Sequence, residues 1–187
     1  MTIGSHQQTI GRSQVHCTPR WVLDALGEFD LDPCAAAPRP WDCARVNFTE
    51  ADDGLLRPWA GRIWLNPPFA RFGVDRWMRR MAEHGHGIAL LHARVETSWF
   101  APCWRHASGM LFLRKRVIFC KPDGSPQTIS NPNSKHFGKP ANSGAPVALI
   151  AFGAKDLQCL RACGIEGNLV TAWERVGHGA ERRQAAE

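Results

Sequence analysis

The chain has 187 residues, 44% of them hydrophobic, and 23 basic side chains against 17 acidic ones give a net charge of +6. That length fits one domain with its own core, and the positive balance fits a polyanionic partner. No run approaches the ~20 apolar residues of a membrane span, and the opening MTIGSHQQTIGRSQVH lacks the apolar segment of a secretory signal, so a soluble, intracellular protein is expected.

In chain order, residues 1–16 read as a flexible arm. Thr18 and Pro19 open a helix, with Thr18 as its N-cap and Pro19 at the first helical position. Val22, Leu23 and Leu26 share one face of it, and Gly27 ends it. Residues 28–32 (EFDLD) alternate like a short strand stopped by Pro33. The stretch 34–58 is long for a bare loop and holds short elements that the pattern does not place. A second strand covers 62–65. Residues 74–84 form a basic amphipathic helix with Trp77, Met78 and Met81 inward. GIALLH at 87–92 is continuously apolar, as in a strand buried on both faces.

A further helix covers 96–106. Strands at 110–113 and 117–120 are joined by a basic turn, Arg114, Lys115 and Arg116. A loop rich in Gly, Pro, Asn and Ser runs over 121–146, and VALIAF at 147–152 is the last buried strand. Strands alternating with helices, then strands late in the chain, predict an α/β fold with a mostly parallel sheet and an antiparallel late hairpin. The domain spans 17–153, including the basic loop 121–146, and 154–187 is a partly helical tail. The seven cysteines (Cys17, Cys34, Cys43, Cys103, Cys120, Cys159, Cys163) include no C-x-x-C pair. They read as reduced thiols packed as small hydrophobes, and no metal site is expected.

The stretch I-W-L-N-P-P-F ends the second strand in Asn66, Pro67, Pro68 and Phe69. In a parallel sheet, ligands gather beyond the carboxyl ends of the strands. Asn66 and Pro67 each precede a proline, which restrains both to extended conformations. The turn then presents two neutral acceptors, the Asn66 amide oxygen and the Pro67 carbonyl, beside a flat ring. Two acceptors and a ring suit an amino group on a planar heterocycle. Binding both N–H bonds draws the nitrogen lone pair out of conjugation, and Phe69 stacks on the ring. By itself, the same stretch also fits a plain strand-ending turn.

Asn-Pro-Pro-Phe after an apolar strand resembles the catalytic motif of amino methyltransferases that use S-adenosylmethionine. Four other stretches resemble one branch, the Dam-like DNA N6-adenine methyltransferases of phages and prophages. They are Thr18-Pro19 with its helix; FDLDPCAA at 29–36; Asp52, Asp53, Gly54 and Leu55 followed by Trp59 and Gly61; and KRVIF at 115–119 with the strand at 147–153. The resemblance covers roughly residues 17–153 in consistent order. It implies a Rossmann-like fold, a bacterial cytoplasmic location and methyl transfer to N6 of adenine in DNA. It also implies roles. Asn66, Pro67, Pro68 and Phe69 hold the extruded adenine. Thr18, Pro19, Asp32, Pro33, Cys34 and Asp52 or Asp53 surround S-adenosylmethionine, with Cys34 a small filler rather than a nucleophile. The glycine-rich turn common among methyltransferases is replaced here by Asp32-Pro-Cys-Ala-Ala-Ala.

Positive charge gathers at Arg76, Arg79 and Arg80 on the helix, and at Arg114, Lys115, Arg116, Lys121, Lys135 and Lys139 around the late loop. These are the expected DNA contacts, and a solvated basic face is the plainer alternative. Asn-Pro-Pro-aromatic also occurs in enzymes that methylate protein glutamine or RNA adenine. A DNA-binding module without turnover is a third reading.

Overall fold

The computed structural model describes residues 16–69 and 73–174. The expected arm lies outside the described residues up to residue 15, as does the end of the tail from 175. Among the described residues seven strands form one sheet: β1 (Leu31–Asp32), β2 (Val46–Asn47), β3 (Ile63–Leu65), β4 (Gly87–His92), β5 (Gly109–Leu113), β6 (Val147–Phe152) and β7 (Gly167–Val170). Their order is β2-β1-β3-β4-β6-β5-β7. Among the described residues four α-helices accompany them: α1 (Arg20–Leu26), α2 (Val74–His84), α3 (Ala101–His106) and α4 (Ala154–Ala162).

Alternation along the central strands sorts side chains onto two faces. Ile63, Leu65, Ala89, Leu91, Ala148 and Ile150 pack against Trp77, Met78 and Met81 of α2 and Cys103 of α3. Trp64, Ile88, Leu90, Leu149 and Ala151 pack against Val22, Leu23 and Leu26 of α1 and Leu160 of α4. The sheet is therefore covered on both sides, which is why β4 and β6 read as unbroken apolar runs.

The sheet is less parallel than expected. β1 runs parallel to β2 and β3, and β3 to β4. β6 runs antiparallel to β4 and β5, and β7 antiparallel to β5. The hairpin expected of 110–120 does not form. Both edges of β5 are taken, one by β6 and the other by β7, so 117–120 has no place beside it. That segment instead buries Val117 and Phe119 under the sheet, and Cys120 makes a two-bond bridge to Cys17.

β7 lies in the stretch read only as tail. Gly167 is required there, because a Cβ would meet the Phe112 carbonyl oxygen at 2.4 Å. Thr18 is not the N-cap of α1. The cap is Pro19, with no side-chain cap bond, because the Thr18 hydroxyl is engaged elsewhere.

Candidate active site

The topology gathers distant residues at one edge of the sheet. β1, β3 and β4 are parallel, so their carboxyl ends at Asp32, Leu65 and His92 lie together. β5 runs opposite to β6 and so ends at this edge too, delivering Arg114, Lys115 and Arg116. β6 starts here, and Ala93 N–H donates to the Pro146 carbonyl (2.8 Å). Both ends of the basic loop therefore lie at the edge of the sheet that carries the N-P-P-F turn.

Asn66 is held by its surroundings. Its Nδ2 donates to the His16 carbonyl (3.1 Å) and to Thr18 Oγ1 (3.2 Å). The carbonyl can only accept, so the amide nitrogen must face it and Oδ1 must point away. Oδ1 is buried with no hydrogen-bond partner. An unpartnered buried acceptor costs stability unless a ligand pairs with it. Thr18 is 1% exposed. Its position is fixed from behind by the bridge between Cys17 and Cys120, whose two N–H···O bonds are 3.0 and 2.9 Å long.

Asp32 and Cys34 join this cluster. The Cys34 N–H donates to Asp32 Oδ1 (3.0 Å), and its thiol donates to the Asn66 carbonyl (3.4 Å). Burial holds the Cys34 thiol well above its usual range, so it stays protonated and acts as a strut between the two strand ends. Burial also pushes the Asp32 carboxyl up to about 7, against the opposing hydrogen bond from Cys34. Pro33 and Pro67 are buried, while Pro68 is exposed. Gly54 seats the third stretch here, since a Cβ on it would lie 1.9 Å from the Pro33 carbonyl oxygen. Trp59 Nε1 donates to the Gly54 carbonyl (2.8 Å) and closes that turn.

The two aspartates before Gly54 differ. Asp52 Oδ2 accepts from the Thr49 N–H and hydroxyl in a capping box. Asp53 is exposed in a left-handed conformation (φ 47°). Asp53 is therefore the freer of the pair.

Phe69 stacks on His92, with ring centroids 4.2 Å apart and planes at 13°. His92 was not singled out in the sequence, because nothing near it in the chain marks a ring partner 23 residues away. Burial, then Arg94, His16 and Arg116, push its pKa down to about 4, so the ring is uncharged at neutral pH.

The basic residues fall into two groups. Arg76, Arg79 and Arg80 line a surface cleft with Leu55 and Glu83 on the α2 side. Arg79 pairs with Asp75 (2.6 Å), and Arg80 turns onto the Trp59 ring. Around the loop, Arg114 and Lys115 pair with Glu166 (2.6 and 3.4 Å). Arg116, Lys135 and Lys139 are exposed and Lys121 is half-buried.

A family model described as DNA N-6-adenine-methyltransferase (Dam) matches residues 7–150. The chain belongs to that family. Comparisons with curated proteins and with solved structures gave no match. Membership in the Dam family makes the protein a DNA methyltransferase, and the matched span contains Asp32, the N-P-P-F turn, His92 and the whole basic loop. Among the described residues no helix is long and apolar enough to cross a membrane.

Proposed function

We propose that this Dam-family protein methylates the exocyclic N6 of adenine in DNA, with S-adenosylmethionine as methyl donor. The observation that carries the reading is the oriented, buried and unpartnered Asn66 Oδ1. It fits one N–H of an amino group, and the Pro67 carbonyl is the acceptor for the other. With both N–H bonds held, the nitrogen lone pair leaves the purine π system and becomes nucleophilic. Phe69 supports the ring face. The Asn66 amide contacts a carbonyl and a hydroxyl and the Asn66 carbonyl a thiol, and none of these partners is a base. No strong base is needed, because the amine is acidic once methylated and gives its proton to water.

The residues also fit the donor. Asp32, Pro33, Cys34 and Thr18 line the neighbouring strand end, and a buried carboxylate beside small side chains suits a cationic, phosphate-free ligand. S-adenosylmethionine, when bound, supplies a methyl group activated on a sulfonium. The chain's own part is placement: holding the amine and the donor in line is worth several kcal/mol of barrier. A base inside a duplex must first be extruded, at a cost of a few kcal/mol. Phosphate contacts from the basic loop offset that cost and make binding salt-dependent.

The test is methylation of plasmid DNA by purified protein, followed by digestion to nucleosides and detection of N6-methyladenine. Asn66→Ala should abolish the product and retain S-adenosylmethionine binding. Methyl label appearing in RNA or protein instead of DNA adenine would overturn the reading.

A further inference from the structure

Resting on that reading, we infer that His92 is a positioning residue: its imidazole backs Phe69 and sets the plane in which Phe69 stacks on the extruded base. Phe69 lies on the turn after β3, beyond the strand pairing. His92 ends β4 and is paired in register with Val147 of β6. The loop-borne ring thus rests on a ring fixed by the sheet. Their planes are 13° apart, the flattest aromatic pair among the described residues; Trp59 and Trp77 follow at 20°, and the other pairs, such as His16 with Phe119 at 60° and Phe29 with Trp64 at 53°, are tilted. A parallel pair forms a flat platform, and a purine on the far face of Phe69 completes a three-layer stack. An uncharged imidazole suits this place, because it adds π surface without setting a positive charge beside an amine that becomes cationic during transfer.

Replacing His92 with an apolar side chain that lacks a flat face separates positioning from space-filling. His92→Leu is expected to lower kcat/KM for DNA by about 2- to 12-fold, the factor one aromatic pair represents, with S-adenosylmethionine affinity unchanged. His92→Phe restores the rate. In a duplex carrying 2-aminopurine at an adenine that the wild type methylates, stacking on Phe69 quenches the extruded base. His92→Leu leaves it brighter and His92→Phe does not. Wild-type behaviour of His92→Leu in both assays, or equal impairment of the Leu and Phe variants, overturns the inference and leaves the function standing. Wild-type protein that methylates no DNA adenine overturns both.

Discussion

Thr18→Val removes one acceptor from Asn66 while keeping nearly the same shape. Thr18 is 1% exposed, so water does not replace the lost hydroxyl. One Nδ2 hydrogen is then unpaired, and only the His16 carbonyl still orients the amide. An unpaired buried donor costs about 1–3 kcal/mol. If that preference is what keeps Oδ1 facing the substrate, single-turnover methyl transfer slows by roughly 5- to 150-fold, at about 1.4 kcal/mol per tenfold. Thr18→Ser keeps an acceptor and should retain most of the rate. The assay is transfer of labelled methyl to DNA at saturating donor, with donor affinity read separately from tryptophan quenching. A Thr18→Val rate within twofold of wild type refutes the orienting role. A weakened donor affinity with an unchanged rate refutes it too, and assigns Thr18 to the cofactor, as the family resemblance implies.

Asp32 titrates near 7 because it is buried, against about 3.9 in an unfolded chain. The raised value means that its stability contribution is complete below about pH 4 and is lost as pH rises through about 7. Urea midpoints of the free protein should fall across that window, and Asp32→Asn should flatten the fall. Asp156, fully buried, bonds Arg62 Nε (2.7 Å) and the Gly87 N–H (2.8 Å) at the opposite edge of the sheet. Asp156→Ala leaves a charge unpaired there and should cost about 3–5 kcal/mol in denaturant unfolding. Replacing Lys121, Lys135 and Lys139 together with Ala should reduce the slope of log binding constant against log salt by about 2–3 if each neutralises one phosphate, measured by fluorescence anisotropy on duplex DNA.

Elements with a strong burial pattern were legible in the sequence. β4, β6 and α2 fall where GIALLH, VALIAF and the Trp77–Met78–Met81 face place them. Elements decided by distant competition were not. The segment 117–120 has the composition of a strand, but β7 already holds the free edge of β5. β7 itself is short and half-exposed, with only Leu169 and Val170 to mark it. The helix-cap reading of Thr18 failed for the same kind of reason. Its hydroxyl answers to Asn66, 48 residues away, rather than to the adjacent backbone. Within the site, the N-P-P-F turn was legible because proline stiffness is local. The Asn66 orienting contacts and the His92 stack are tertiary facts.

The antiparallel return of β6 has a consequence for how such a protein changes over time. The chain departs from the reactive edge after β5 and comes back to it at Val147. Everything between is an excursion tethered at both ends, with no strand of the sheet inside it. Swapping or lengthening the part of it beyond Cys120, whose bridge to Cys17 belongs to the fold, leaves the register of every strand intact and, on the proposed function, alters the surface offered to the duplex. If the proposed function holds, target choice can therefore drift while the corner formed by Asp32, Thr18 and Asn66 stays as it is.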